Sequence, residues 1–386
     1  MVKSKLIEME EEIVDEKEQT FASANYGDAF LMVTAIVTIL VALLLISISL
    51  VYLLPGVGNI GSAGPSGALI TWENEYREIT GLDEIQGLDG TGVILCIVDS
   101  GIDMKHPGFE GMEIYGWKDF VNQQSEPYDD EGHGTAMAGI VVSNNGLMGN
   151  APGVSLLVAK AISSEGTGSD QMISESVDWC VINNADIISL SLGGAQGFGS
   201  GIFTTDSLER SVEQALDQGI YVVAAAGNDG EDDDGDVESP GSVEDVICVG
   251  GITRNGQVWK GSSVGDNNGR LWPNPILPRN NPDMKPEVVG PAQEVPILMA
   301  SGISNENWWG WSSGTSAATA WISGSLALLL ENNPELQHEN SQGRDSINEV
   351  KDLIMFNSEM QEGQTEHDDY YGYGIFRIDV LIDAKS

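Results

Sequence analysis

Five short apolar runs, with helical patterns between them, constrain the fold of this chain more than any other feature. VILCIV (93–98), SLLVAK (155–160), DIISLSL (186–192), IYVVAAA (220–226) and DVICVG (245–250) show little alternation of apolar and polar positions. A strand with one wet face alternates, whereas a strand buried on both faces reads as a continuous apolar run. Segments 133–143, 170–183 and 205–218 have helical spacing. Alternating strands and helices predict an α/β fold in three layers, a mainly parallel sheet between helices. In such sheets the reactive groups gather at the carboxyl ends of the strands.

A second feature sits ahead of this region. Residues 30–54, FLMVTAIVTILVALLLISISLVYLL, contain no charged side chain. At ~1.5 Å per residue they exceed a hydrocarbon core of ~30 Å, so they are expected to form one transmembrane helix. A cleaved signal peptide has a basic start and an apolar core of roughly 7–15 residues. Here residues 1–29 hold eight acids and only Lys3, Lys5 and Lys17. An uncleaved anchor is the expectation, with cleavage near GSAG (61–64) as the alternative. The nearest base before the span is Lys17 and the first after it is Arg77. The bias of basic residues therefore places the N-terminus inside and the body of the protein outside the cytoplasm, on the cell membrane. The organisation reads as an acidic tail (1–29), the span (30–54), a Gly-, Ser- and Pro-rich tether (55–75) and one α/β domain (76–386).

The chain carries 59 acids against 17 bases, a net charge of −42. That field repels nucleic acid and favours basic partners, and it also suits solubility in salt. Cys96, Cys180 and Cys248 are an odd set without CxxC spacing, so no disulfide framework and no structural zinc are expected.

Four segments bear on chemistry. In VILCIVDSG, Asp99 directly follows an apolar run; Asp is also a good turn or capping residue there. In DDEGHGTAMAGIV, His133 lies between two glycines at the start of a helical pattern, beside Asp129, Asp130 and Glu131, where capping or metal binding would also suit it. In WSSGTSAATAWISG, a small-residue helix begins near Thr315 or Ser316 and runs to Asn332-Asn333-Pro334. A hydroxyl at a helix start faces unpaired N–H groups and the positive end of the dipole, which suits an oxyanion and equally an inert cap. In VVAAAGNDG, Asn228 ends a buried strand, where its amide can donate to developing negative charge.

Together these segments resemble the subtilisin-like serine proteases (subtilases, peptidase S8 type), over residues 76 to 386. DSGID, GHGTAMAG, APGVSLLVAKAI, GTGS, ADIISLSLGG, VVAAAGN, PGSVEDVICVGG, KPEVVGP and SGTSAATA follow in the order of that family. The resemblance implies a subtilisin-like fold and serine endopeptidase activity. It assigns Asp99 to orient His133, His133 to take the proton of Ser316, and Asn228 with the Ser316 amide to hold the oxyanion. It places Gly166, Thr167 and Gly168, and Ser191, Leu192 and Gly193, along the substrate backbone. It puts Ala225, Ala226 and Gly227 on the wall of the specificity pocket. Aligned on the Pro240-Gly241 turn, Glu238 falls near that pocket's floor, which suggests Lys or Arg before the scissile bond; a solvated Glu in an acidic loop is the alternative.

The chain departs from the family after the nucleophile, with Ala320-Trp321 where Pro-His is usual. There is also no room for an inhibitory pro-domain between the span and Thr91. No cofactor is implied for the chemistry. Structural calcium is allowed, with Asp232-Asp233-Asp234-Gly235-Asp236 as an oxygen-rich candidate loop. The competing functional reading is a silent subtilase fold used for binding or adhesion. An esterase would need Ser first, in G-x-S-x-G, and here Ser comes last. GLDGTG (87–92) precedes its strand, unlike a nucleotide-binding loop.

Overall fold

The computed structural model describes residues 64–192, 207–230, 237–265, 278–301 and 307–385, together with Thr38. All but Thr38 belong to the unit that begins at Gly64. The expected membrane span lies outside the described residues, Thr38 apart. Among the described residues no helix is long and apolar enough to cross a membrane.

The chain runs through helix α1 (Gly67–Ile79), strands β1 (Ile94–Asp99) and β2 (Gly116–Asp119) and helix α2 (His133–Val142). A small hairpin of β3 (Asn144–Asn145) and β4 (Leu147–Met148) comes next. Strand β5 (Ser155–Lys160), α3 (Asp170–Ile182), β6 (Ile187–Leu190), α4 (Ser207–Asp217), β7 (Tyr221–Ala225), β8 (Ile247–Ile252) and β9 (Val288–Pro291) follow. The hairpin β10 (Val295–Leu298) and β11 (Trp309–Ser312) precedes α5 (Thr315–Asn332), α6 (Arg344–Asn357) and α7 (Ile378–Lys385).

Seven strands form one sheet in the order β2-β5-β1-β6-β7-β8-β9, with every neighbouring pair parallel. The five apolar runs supply β1, β5, β6, β7 and β8. Their residues are almost wholly buried, as strands covered on both faces must be. Helices α2 and α5 pack on each other and on the sheet, while α3 and α4 form a second pair against β1, β5 and β7. From β1 the chain moves outward to β2 and β5 on one side and later to β6 through β9 on the other. A crevice opens at the carboxyl ends of strands where the winding reverses in this way. Asp99, the last residue of β1, stands at that point.

Two expectations are corrected here. Cys96 of β1 and Cys180 of α3 form a disulfide, with Cα atoms 5.9 Å apart and both side chains buried. Helix α3 crosses β1 so that its last turn faces the strand. A pairing between residues 84 apart in sequence leaves no local spacing signal. Cys248 lies buried in β8, outside the disulfide. The tether is also shorter than expected. Ser66 caps α1 by accepting the Leu69 N–H at 3.3 Å, and Leu69 and Tyr76 are buried against the domain. The Trp321 indole donates to Thr80 at 3.2 Å just past the helix end. Residues 67–75 are thus the first helix of the domain, and 55–63 lie outside the described residues.

Candidate active site

Strand β1 delivers Asp99 to the crevice and α2 begins with His133. The imidazole Nδ1–H points at the Asp99 carboxylate, 2.8 Å from Oδ1 and 2.9 Å from Oδ2. A carboxylate only accepts, so this contact fixes the tautomer with the proton on Nδ1 and leaves Nε2 as a base. Asp99 is 2% exposed and the His133 side chain 35%. The Ser100 N–H holds Asp99 Oδ1 at 2.7 Å.

The entry to α2 is built from carboxylates because its cap, Gly132 at φ 101°, has no side chain. Asp129 accepts the Gly132 N–H at 2.7 Å, the Thr135 N–H at 2.8 Å and the Ser100 hydroxyl at 2.9 Å. Glu131 Oε2 accepts the His133 N–H at 2.8 Å. Burial alone would lower the pKa of His133. The Asp99 carboxylate overcomes that and, with Glu131 and Asp129, lifts the imidazole to about 9.

Helix α5 follows Gly314 and carries Ser316 in its first turn, where backbone N–H groups lack intrahelical partners. The Ser316 hydroxyl donates to the Ser191 carbonyl at 3.0 Å, and the Ser191 hydroxyl donates back to the Ser316 carbonyl at 3.0 Å. Asn228 lies just beyond β7. Its Oδ1 accepts the Thr315 N–H at 2.9 Å and sits 3.1 Å from the Thr315 hydroxyl. An N–H can only meet an oxygen, so the amide orientation is set, and Nδ2 remains as the donor.

Asp99, His133, Ser316 and Asn228 all line one cleft of about 720 Å³. Gly166, Thr167, Gly168, Ser191, Leu192 and Glu238 line it too. Ala225 and Ala226 are buried at the end of β7, and Glu238 N–H donates to the Ala226 carbonyl at 2.8 Å. Gly227, at φ 114°, has no room for a side chain, since a Cβ there would stand 2.8 Å from the Glu238 carboxyl carbon. Gly193 lies outside the described residues, as does the acidic run 231–236. Among the described residues no group of three His, Cys, Asp or Glu side chains is placed to hold a metal.

Three carboxylates in the wall were not singled out from the sequence: Glu131, Asp170 and Asp229. Glu131 had a signal, two residues before His133, but was named only with Asp129 and Asp130 as a carboxylate beside it. Asp170 and Asp229 follow the GTGS and GN motifs and carry no mark of their own. No lysine or arginine is among the described residues lining the cleft. A base oriented by a buried carboxylate, a hydroxyl at a helix start and a preset amide donor are the parts that acyl transfer requires.

Comparison with known proteins bears on the family. The subtilase family, peptidase S8, matches residues 90–374, well over half of the chain. Serine protease AprX of Bacillus subtilis (strain 168) is 34% identical over 307 residues, covering 75% of this chain and 66% of AprX. A subtilisin of Bacillus pumilus is 31% identical over 267 residues, covering 68% of this chain and 84% of that protein. The crystal structure of a cold-adapted subtilisin-like serine proteinase superposes with a TM-score of 0.53 at 25% identity, over 66% of this chain and 81% of that one. The match spans just under two thirds of the length of AprX and of subtilisin NAT from Bacillus subtilis subsp. natto, 66% in each case. On the family match and the fold together, this chain belongs to the subtilase family.

Proposed function

We propose that this chain is a serine endopeptidase whose nucleophile is Ser316. The observation that carries the reading is the Asp99–His133 pair at 2.8 Å in the same cleft as Ser316 and the preset Asn228 amide. The Ser316 hydroxyl turns from the Ser191 carbonyl toward His133 Nε2, which takes its proton as Oγ attacks the peptide carbonyl. The Asn228 amide and the Ser316 N–H receive the oxyanion. His133 then protonates the leaving amine, and a water repeats the sequence on the acyl-enzyme. Three side chains, the Asn228 amide, the Ser316 backbone N–H and water supply each step.

Substrates are peptides with Lys or Arg before the scissile bond. Glu238 packs against Gly227 at the cleft wall, and the other wall carboxylates give the cleft one sign of charge. The domain is held to the cell membrane by residues 30–54 and faces away from the cytoplasm. A buried disulfide in its core supports an oxidising compartment.

A fluorophosphonate probe applied to the full-length chain tests the nucleophile: labelling is expected in the wild type and lost in Ser316→Ala. Folded protein that resists the probe would instead favour a silent subtilase fold. The observation on that side is that Ser316 rests on the Ser191 carbonyl. Cleavage profiles of wild type and Glu238→Gln test the basic preference, which an unchanged profile would sink.

A further inference from the structure

We propose that the β10–β11 hairpin, with the β3–β4 hairpin and the start of α1, is a docking surface that rests in the headgroup region of a zwitterionic bilayer. The inference rests on the reading of residues 30–54 as a membrane anchor and goes beyond it. It does not depend on the peptidase chemistry.

This face is apolar and aromatic in an otherwise acidic molecule. The chain carries 59 acids, yet strands β3, β4, β10 and β11 contain no charged residue. Trp311 of β11 is 55% exposed, Met148 of β4 48% and Ile70 of α1 41%. The elements that carry them are in contact: β10 pairs with β11 and packs on β4 and α1. Trp309, two residues before Trp311, projects to the same face of β11. Glu73 of α1 accepts the Met148 N–H at 2.8 Å, and Ile70 lies one turn before it on the same side of the helix. Acids on the neighbouring elements are withdrawn into internal contacts. Glu73 is buried, and Glu75 and Glu294 both bond Arg254, at 3.0 and 2.8 Å. A lone exposed apolar side chain needs no explanation, whereas a neighbouring set marks an interaction surface.

Where the chain enters the domain identifies the occupant. A Cβ on Gly146, between β3 and β4, would meet Pro65 Cδ and Trp309 Nε1, each at 2.9 Å. The domain therefore begins, at Gly64 and Pro65, against the tryptophan hairpin. Only residues 55–63 separate it from the apolar run, and nine residues reach no further than about 30 Å. The whole stretch 30–72 lacks a charged side chain. Tryptophan, with an apolar body and one polar N–H, is the side chain that settles at a membrane interface. Anionic headgroups would be repelled by a net charge of −42, which leaves zwitterionic lipid as the partner. A tether alone would let the domain turn freely; a docked hairpin fixes its orientation. Ser316 follows Trp311 by only five residues, so the cleft stays near the bilayer.

Tryptophan quenching in the full-length chain tests this. The chain is reconstituted into phosphatidylcholine vesicles, with and without bromine on the acyl chains near the headgroups. All nine tryptophans lie at or after Trp72, so quenching by bromine reports the domain and not the anchor. With one or two of the nine at the lipid, brominated vesicles should dim the wild-type emission by roughly a tenth to a fifth. Trp311→Phe keeps the surface apolar but removes the reporter, and should lose most of the dimming. Ile70→Ser combined with Met148→Ser keeps every tryptophan and weakens the surface, and should lose part of it. Undimmed emission from vesicle-bound wild type overturns the proposal and leaves the anchor standing; a second copy or a soluble protein covering the hairpin would give that result. Dimming that Trp311→Phe leaves intact overturns it as well, because another tryptophan then meets the lipid. If the chain does not float with the vesicles, the anchor reading falls and this proposal with it.

Discussion

The cluster of four charges under β8 and β9 allows a sharp test of how this domain is held together. Lys285, Glu287 and Lys351 are fully buried, and the Asp283 side chain is 16% exposed. Each lysine contacts both carboxylates: Lys285 lies 2.8 Å from Glu287 and 3.2 Å from Asp283, and Lys351 lies 2.8 Å from Glu287 and also bonds Asp283. Backbone amides add to this: Glu287 Oε2 accepts the Cys248 N–H at 2.8 Å, and Asp283 Oδ1 accepts the Asp245 N–H at 2.9 Å. The group is neutral as it stands, two cations against two anions. Lys351→Met keeps the length of the stem and removes one charge, leaving an uncompensated anion in the interior. Breaking such a buried pair costs about 3–5 kcal/mol, a large share of the roughly 5–15 kcal/mol that holds a domain folded. The pH dependence gives the sign. Burial pushes the Asp283 carboxyl up, but Lys285 and Lys351 overcome it and hold it well below the usual carboxylate range. A depressed folded pKa contributes stability that is present above the unfolded value, about 3.9, and is lost as pH falls through the folded one. Without Lys351 that depression weakens, and a proton can replace the missing cation. The deficit of the variant, read by equilibrium urea unfolding of the full-length chain, should be largest near neutral pH and shrink toward pH 4. A deficit below about 1 kcal/mol at neutrality, or one independent of pH, would refute the view that charge balance and not packing is at stake.

The other predictions concern the site and its frame. With His133 lifted to about 9, kcat/KM on a neutral peptide should climb through the neutral range and level off near that pH; a limb near the ordinary imidazole value would contradict the electrostatics assigned to Asp99 and Glu131. Asn228→Ala should lower kcat by ~10²–10³ with little change in KM, whereas Thr315→Val, which removes one of the two contacts on Asn228 Oδ1, should lower it far less. Equal losses would mean that Thr315 does not merely aim the amide. The Cys96–Cys180 bond closes a loop of 84 residues, for which chain entropy predicts about 4.5 kcal/mol of stabilisation. Alkylation of the denatured, unreduced protein should tag Cys248 alone, and dithiothreitol should lower the midpoint of thermal unfolding.

Where the sequence was legible, the reason is that burial on both faces of the sheet leaves a run of apolar residues no substitute can mimic. Strands β1, β5, β6, β7 and β8 announced themselves in that way, and so did α5, bounded by Gly314 and the Asn-Asn-Pro stop. Asp99, His133, Asn228 and Ser316 lie at or near the ends of such elements, but position alone left capping and turn roles open, and it was the resemblance to the subtilases that singled them out. Strand β2, GWKD, was not, being four residues long with a half-buried edge. Helix α1 was hidden by composition: its charged residues continued the polar tether, and its contacts with Gln293, Met148, Arg254 and Trp321 make it part of the domain. The disulfide joins a strand to the helix crossing it, a relation the chain records nowhere locally.

The acidity of the molecule shows the same divide. A net charge of −42 says that the surface repels anions, but not where the charge is used. The fold separates three uses. Some carboxylates are consumed internally, as Asp129 is at the entry to α2 and Asp283 in its buried cluster. Some are neutralised beside the site, as Asp130 is by Lys160. Glu131 and Glu238 instead line the cleft that holds Ser316. A field that is merely solubilising would not require Lys160 to be buried and turned onto Asp130 while the neighbouring Glu131 faces the cleft. That asymmetry, more than the total charge, is what the proposed preference for a cationic substrate rests on.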